Sequence, residues 1–358
     1  MFPFARGSMG YYTQLGAPES RALPELPPLP GDGTVGSMSA HWREWRASGA
    51  PRLLVQWLRN GVPLRWAGPP PSLSHPKRLT TSTEAREELK KLIVAGAFVP
   101  LKHALPSPVF TIPKRTGGVR LIHDLRQVNA CLRSPSFTLR GAREAADVVR
   151  RSSWLVALDL CHGYQQVAMA PEARQFLGAD LGEGETVAAT VLPFGLSLSP
   201  YIFTRLTGYL ARLVRKRVGL EVAVYVDDFL LGGGSEEEVV RGLREVRSLF
   251  DRLGVVLSDK VPAVPAQQEN FLGFRWDAVA KEVQVPEDRR REYRRDVKNL
   301  LRCPQPRVRW RATVGRLLFL REACPTTMRH LRSLLHLIRS RRDGGLLEAA
   351  GEAREDLQ

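Results

Sequence analysis

Cysteine is scarce in this chain: Cys131, Cys161, Cys303 and Cys324 are the only four in 358 residues. No two form a CxxC pair and no histidine cluster stands near them. That excludes a zinc module and a disulfide framework, and suits a reducing compartment. No apolar stretch has the length of a membrane span, and the opening MFPFARGSMGYY has no apolar signal core. The expectation is a soluble, intracellular protein, cytoplasmic or nuclear, with no membrane partner. Acid is also in short supply, since 53 Lys+Arg outnumber 37 Asp+Glu for a formal charge of +16. Such a surplus points to a polyanionic partner. It is concentrated between Lys281 and Asp343, where 18 basic residues stand against 7 acidic ones. A solvated helical surface is the plain alternative, but a single-sign excess over one segment favours phosphate binding.

What the chain does have is apolar residue, 43% of the total, enough for a large core and more than one domain. Residues 1–80 carry the proline clusters LPELPPLPGDG and GPPPSLSHP among scattered tryptophans. Proline cannot sit inside helices or central strands, so this stretch is expected to be mostly extended. One short helix is predicted over Pro51–Asn60, where Leu54, Trp57 and Leu58 recur at helical spacing. At Thr81 the character changes. Thr81-Ser82-Thr83-Glu84 fits a capping box, Leu89, Leu92 and Ile93 share a face, and Gly96 is the stop. Next, Val109–Ile112 and Val119–Ile122 are strand-like, and Lys114–Gly118 has the residues of a hairpin turn. Lys114 and Arg115 stand near its tip and Arg120 on the return strand. It is an ordinary solvated hairpin or a basic flap that closes over phosphates.

The run VAVYVDDFLLGGG, Val222 to Gly234, places Asp227 and Asp228 in the middle of an otherwise apolar segment. A hairpin with a polar tip accommodates aspartate. Yet such turns favour glycine or asparagine, and the glycines here come three residues later. The alternative is a pair of carboxylates offered to a divalent cation. Taken alone, the segment leaves both open. A second apolar run, Trp154–Leu158, ends in Asp159. If the two strands are neighbours in one antiparallel sheet, Asp159 and Asp227 converge at one edge. Adjacent carboxylates repel unless a cation neutralises them. Two of them beside two divalent ions can activate a hydroxyl for attack on phosphorus and steady the departing pyrophosphate. This chemistry accounts for the acids better than a turn does.

The blocks VFTIPKRTGGVRLIHDLRQVN, LDLCHGYQQV, LPFGLSLSPYIFTRL, YVDD and FLGF, in that order, resemble a retroelement reverse transcriptase over Ser82 to Trp276, and more loosely to about residue 340. YVDD alone is weak; five blocks in order are specific. WREWRASGAP, WLRNG, LPFGLSLSP and FLGFRWD are most similar to the tyrosine-recombinase (DIRS- or Ngaro-like) retrotransposons, with gypsy-like elements next. The resemblance implies an α+β right-hand polymerase fold, with fingers, a palm of antiparallel sheet and helices, and a helical thumb. It implies a Pro-rich extension over 1–75, fingers and palm over 76–278, and a basic thumb or connection-like segment over 279–358.

It also implies roles for single residues. Asp159 and Asp227 correspond to the metal pair and Asp228 to the third acid, holding two Mg²⁺ or, alternatively, Mn²⁺, with the Leu160 carbonyl as a further ligand. Tyr164 corresponds to the aromatic that excludes a 2′-hydroxyl; a plain core tyrosine is the alternative. Lys114 and Arg120 correspond to the grip on the triphosphate. Pro193, Phe194 and Gly195 correspond to the lining of the nucleotide pocket. Lys260 corresponds to a lysine that protonates pyrophosphate, or is a surface lysine. Phe271, Leu272, Gly273 and Phe274 correspond to the primer grip, and the arginines after Val285 to a thumb that tracks the duplex backbone. Val314, Leu317 and Leu318, then Leu331, Leu334 and Leu335, predict helices there.

The implied activity is RNA-directed DNA polymerisation, with an RNA template, a DNA primer or RNA–DNA hybrid, and dNTPs as partners. Two alternatives stand beside it: a silent nucleic-acid-binding remnant, and an RNA-dependent RNA polymerase, which Tyr164 argues against. His162 departs from the family pattern at a position where many relatives carry an acid or a small polar residue. No Asp-Ser/Thr-Gly protease signature, zinc knuckle, RNase H or recombinase segment is found. Those activities are expected from outside this chain, which is read as a fragment or a degraded copy that can still keep its three acids.

Overall fold

The computed structural model describes residues 33–73, 81–114, 117–139, 141–182, 185–259, 262, 264–322, 327–340, 346–349 and 351–357. At its centre is an antiparallel sheet of three strands, with Asp228–Gly233 between Trp154–Asp159 and Glu221–Tyr225. Each strand is apolar on both faces because both faces are covered. Val156, Leu158, Val222, Phe229 and Leu231 join the larger core. The helices Leu198–Arg217 and Glu236–Arg252 supply Phe203, Leu206, Leu210, Val239 and Val246 to that same core. Leu155, Ala223 and Leu230 point the other way, into a second core. There they meet Val148 and Val149 of the helix Gly141–Arg151, and Phe271, Phe274 and Trp276 of a further sheet. That sheet runs Gln268–Phe271, Phe274–Asp277, Glu282–Gln284, all antiparallel.

Ahead of the central sheet lie the hairpin Val109–Pro113 / Val119–His123 and a four-stranded sheet. The latter has the order Phe98–Pro100, Glu185–Ala189, Gly178–Gly182, Pro106–Ser107. The helix Thr83–Val94 packs on both, and it starts differently from the capping box the sequence suggests. Ser82, not Thr81, is the N-cap, its Oγ accepting from the Ala85 N–H at 3.2 Å. The third helical position is therefore Ala85. Glu84 turns instead to accept from the Thr111 hydroxyl of the hairpin, and Thr81 Oγ1 donates to the Asp180 carbonyl at 2.8 Å. Both side chains serve tertiary contacts between neighbouring segments.

The described part of the amino-terminal stretch is less extended than its prolines suggest. The helix predicted around Pro51–Asn60 is present as Arg52–Asn60, with Leu54, Trp57 and Leu58 buried. Two short helices precede it, Ser37–Ala40 and Trp42–Ala47. Met38, Trp45 and Leu58 lie fully inside the larger core. The Trp45 indole donates to the Leu253 carbonyl at 2.8 Å, and Ser48 meets the Tyr209 hydroxyl at 2.9 Å. Full burial of such side chains stabilises by about 2 kcal/mol each. Pro51 caps the start of the third helix, and the tryptophans decide where the strip adheres.

The carboxy-terminal segment forms a third core from Leu300, Trp310, Val314, Leu331, Leu334 and Ile338, with Leu317, Leu318 and Leu335 against it. The helices read from those leucine spacings are Arg307–Phe319 and Arg332–Ser340. Phe319 stacks on Phe274 at 4.6 Å between ring centres, joining this unit to the second core. The helix Glu287–Arg302 buries only Leu300 among its 16 residues. Among the described residues no helix is long and apolar enough to cross a membrane.

Candidate active site

Trp154–Asp159 and Asp228–Gly233 pair in a register that sets Asp159 directly opposite Asp228. Tyr225 pairs with Asp228 on the other side, leaving Val226 and Asp227 as a two-residue turn. The three acids named from the sequence therefore meet at one end of the central sheet, as the neighbouring-strand expectation requires. Val226 has φ +57°, a conformation that a β-branched residue adopts only under strain, on the order of 1–3 kcal/mol. The turn is fixed from the far strand, where the Leu160 N–H donates to the Asp227 carbonyl at 3.3 Å. Leu160 is itself held by a bridge to Leu257, and the Ser258 N–H donates to the Asp159 carbonyl at 2.8 Å.

The carboxyls are costly in this setting. Asp228 is half-buried, and loss of solvent, reinforced by the charges of Asp227 and Asp159, pushes its pKa up to about 7. Burial also raises Asp227, with the Asp159 charge adding to it and Arg120 opposing it. Like charges gathered away from water are relieved by a proton or by a cation. Hard oxygens at this sheet end suit Mg²⁺ or Mn²⁺. Among the described residues, however, no three acidic, histidine or cysteine side chains stand close enough to hold an ion by themselves. The acids fit a divalent cation by chemistry and charge, without forming a finished cage.

Beside them is a pocket wall. Tyr164 lies on the short helix Gly163–Gln166, in ring contact with Phe194 at 5.0 Å and Phe203 at 5.3 Å. Burial, with the nearby Asp227 charge, pushes its hydroxyl up to about 12, so it stays protonated. The Arg120 guanidinium lies 4.7 Å from the centre of the Phe194 ring, which brings the hairpin Val109–Pro113 / Val119–His123 onto the same wall. Lys114 closes the described end of that hairpin, its N–H donating to the Gly118 carbonyl at 2.9 Å. Arg115 and Lys260 lie outside the described residues.

The loop carrying Phe194 and Gly195 is held at several points. Gly195 has φ +106°, and a Cβ there would stand 1.9 Å from the His123 carbonyl oxygen, so only glycine fits. The His123 N–H donates to the Phe194 carbonyl at 3.0 Å. The buried His123 ring bonds the Gly178 carbonyl at 2.7 Å, and burial lowers its pKa to about 4. Asn129 donates to the Gly195 carbonyl at 2.8 Å and accepts from the Ser197 N–H at 2.9 Å. Gln166 donates to the Cys161 and Val256 carbonyls at 2.7 and 2.9 Å, and accepts from the Val256 N–H at 3.0 Å. Sequence reasoning missed His123, Asn129 and Gln166. Their signal is weak, because each works mainly through backbone partners in other segments, Gly178 and Phe194 for His123, Gly195 and Ser197 for Asn129, and Val256 for Gln166.

The four residues read as a primer grip separate into two pairs. Phe271 and Phe274 are buried core side chains, and the Trp276 indole donates to the Phe271 carbonyl at 3.0 Å. Leu272 and Gly273 form the turn between them, at φ +51° and +76°. Of the four, only Leu272 and Gly273 are partly exposed. Farther out, Arg316 pairs with Glu292 at 3.1 Å and with Asp296, which turns the acids of the helix Glu287–Arg302 toward its neighbour. Arg291, Arg294, Arg295, Lys298 and Arg302 line an open groove on that helix.

Residues 112–276 match the family model described as reverse transcriptase (RNA-dependent DNA polymerase). The chain is 26% identical over 238 residues to the Pro-Pol polyprotein of simian foamy virus type 3, covering 66% of this chain and 20% of that protein. It is 31% identical over 196 residues to the Gag-Pol polyprotein of avian leukosis virus subgroup A, covering 52% and 12%. With the enzymatic polyprotein of figwort mosaic virus it shares 25% over 235 residues, 62% of this chain and 33% of that one. The chain thus spans a third or less of each of these relatives. Among solved structures, the dRH form of the foamy viral protease-reverse transcriptase in complex with double-stranded DNA aligns with a TM-score of 0.64 at 18% identity, covering 96% of this chain and 60% of that one. The same protein in complex with RNA/DNA hybrid gives 0.63 at 19%, covering 88% and 42%. The fold is the α+β right-hand polymerase fold.

Proposed function

We propose that this chain is an RNA-directed DNA polymerase of retrotransposon type, of the DIRS/Ngaro or gypsy-like kind, which joins dNTPs to a primer 3′-hydroxyl on an RNA template. The observation that carries the reading is the sheet end. Asp159 stands opposite Asp228 beside the Asp227 turn, burial raises Asp227 and Asp228 above their ordinary range, and Arg120 and Tyr164 are near enough to feel the Asp227 charge. A sheet buried on both faces does not spend three acids on one end for stability. The match over residues 112–276 supports the same chemistry.

In this reading Asp159, Asp227 and Asp228 hold two Mg²⁺ ions, for which Mn²⁺ can substitute, with the Leu160 carbonyl beside them. Ions bound there lower the pKa of the primer hydroxyl and offset charge on the departing pyrophosphate. Arg120 and Lys114 bind the triphosphate from above. Tyr164, backed by Phe203 and Phe194, presents a rigid ring beneath the sugar and rejects a 2′-hydroxyl by volume. Phe194 and Gly195 line the nucleotide pocket, and the Leu272–Gly273 turn meets the primer end. Lys260 supplies a proton to pyrophosphate. Residues 76–278 form the fingers and palm, with the strip before them seated on the palm. Residues 279–358 form the thumb, whose arginines follow the backbone of an RNA–DNA hybrid. Its place of action is intracellular, cytoplasmic or nuclear.

The unfinished cage also suits a second reading, a chain that binds hybrid without turnover. Labelled dNTP incorporation on a primed RNA template with Mg²⁺ separates the two. Incorporation that disappears in Asp227→Ala supports the polymerase; hybrid binding with no incorporation by the unaltered protein supports the silent binder.

A further inference from the structure

Gly141 opens the helix Gly141–Arg151 and is buried where three elements meet. A Cβ at this position would lie 2.7 Å from Leu272 Cδ1, 2.7 Å from Tyr225 Cδ2 and 2.8 Å from Tyr225 Cβ. Real Cβ atoms do not approach heavy atoms so closely, so something would have to shift. The backbone does not require glycine here, since Gly141 is absent from the positive-φ glycines, and alanine is the better helix former. The glycine is needed for space alone. The two side chains that use this space come from different functional hairpins. Tyr225 immediately precedes the strained Val226 and the Asp227 turn. Leu272 is the first residue of the turn between Phe271 and Phe274.

The Leu272–Gly273 turn is also bounded elsewhere. A Cβ on Gly273 would stand 2.1 Å from Arg289 Nη1, so the guanidinium of the next helix already rests against the turn. Below it, Phe271 and Phe274 are anchored in the second core. The turn's backbone is thus hemmed in, and Tyr225 is tied to its strand with its Cβ 2.8 Å from a group added at Gly141, so the added group displaces Leu272 from Tyr225.

We propose that Gly141 is a positioning residue: its missing side chain lets Leu272 seat against Tyr225, which registers the Leu272–Gly273 turn against the Asp227 turn. This rests on the polymerase reading, in which the first turn meets the primer end and the second carries the metal acids. Their separation then sets the distance from the 3′-hydroxyl to the reacting phosphorus, where an error of about 1 Å costs on the order of 100-fold in rate.

The test compares the unaltered protein with Gly141→Ala, Leu272→Ala and the double variant. Gly141→Ala is expected to lower kcat for primer extension at least tenfold, with the dNTP KM and hybrid Kd within about twofold. The double variant, in which Leu272 no longer reaches the added methyl while Tyr225 still does, is expected to recover part of that loss. Amide hydrogen exchange in the 225–228 and 270–274 segments, which needs no turnover, is expected to be at least fivefold faster in Gly141→Ala. The helix Glu236–Arg252 is expected to exchange as before. Unchanged exchange in both segments overturns the proposal, whether or not the protein polymerises. So does a loss of kcat, melting midpoint and hybrid binding together with no recovery in the double variant. Absence of incorporation by the unaltered protein overturns the polymerase reading instead, and the exchange result still decides whether Gly141 registers the two turns.

Discussion

The turn at Asp227 and the helix Glu287–Arg302 carry charge under opposite conditions. At the turn, the half-buried Asp228 faces the exposed Asp159 across paired strands, and burial raises both Asp227 and Asp228. On the helix, arginines stand in solvent around a single buried residue, and those that pair, such as Arg291 with Glu287 at 3.2 Å, are mostly exposed. A buried carboxylate costs stability and is interchangeable with nothing. An exposed arginine costs little and duplicates its neighbour. Charge at the first site is therefore fixed in place by the strand register, whereas charge at the second supplies a field.

The largest expected effect follows from that contrast. Asp227→Ala is expected to cost roughly 10³-fold or more in the single-turnover incorporation rate, whereas Arg294→Ala leaves that rate within a few-fold. Equal losses in the two variants would break the comparison. Gly195→Ala is next, because its methyl meets the His123 carbonyl at 1.9 Å in a left-handed conformation. It is expected to destabilise by about 3 kcal/mol and to raise the dNTP KM, as read by denaturant melts and steady-state kinetics.

The third expectation concerns pH. His123 is buried, with its pKa lowered from an ordinary 6.5 to about 4, so the folded chain keeps the ring neutral. Its contribution is present above pH 6.5 and is lost as pH falls through 6.5 toward 4, on the order of 3 kcal/mol in all. Denaturant melts between pH 7 and 4 should show the fall, and His123→Gln should flatten it. Smaller still is the effect of each groove arginine. Arg294→Ala and Arg295→Ala should each reduce the salt slope of hybrid binding by about 1, with little dependence on sequence. The smallest is Val226→Gly, which should relieve the φ +57° strain and raise stability by about 1 kcal/mol.

How far each feature was legible in the sequence follows the same division. Asp159, Asp227 and Asp228 were visible because acids interrupt apolar strands, and the finger hairpin because its turn residues separate two β-rich runs. The third core was visible in its leucine spacing. The strip Val35–Val62 was obscured by prolines, although its tryptophans bury as core residues. Ser82 displaced Thr81 as the cap because Thr81 and Glu84 are engaged by other segments. Phe271 and Phe274 looked like contact residues from their motif, yet their alternation across the turn sends both inward. Val226 at positive φ had no local signal, since its residue type opposes the conformation that tertiary packing imposes. Asn129, Gln166 and Gly141 act through partners far along the chain, and no pattern in one sequence displays that.

The central claim is that the acids at the sheet end exist to hold divalent cations for nucleotide transfer. Mn²⁺ binding by electron paramagnetic resonance tests it without relying on turnover, using protein with hybrid and dNTP beside Asp227→Asn. The account predicts that the free Mn²⁺ signal falls as two sites fill in the unaltered protein, and that the variant loses at least one of them. Equal binding by both proteins, or none by either, would contradict it.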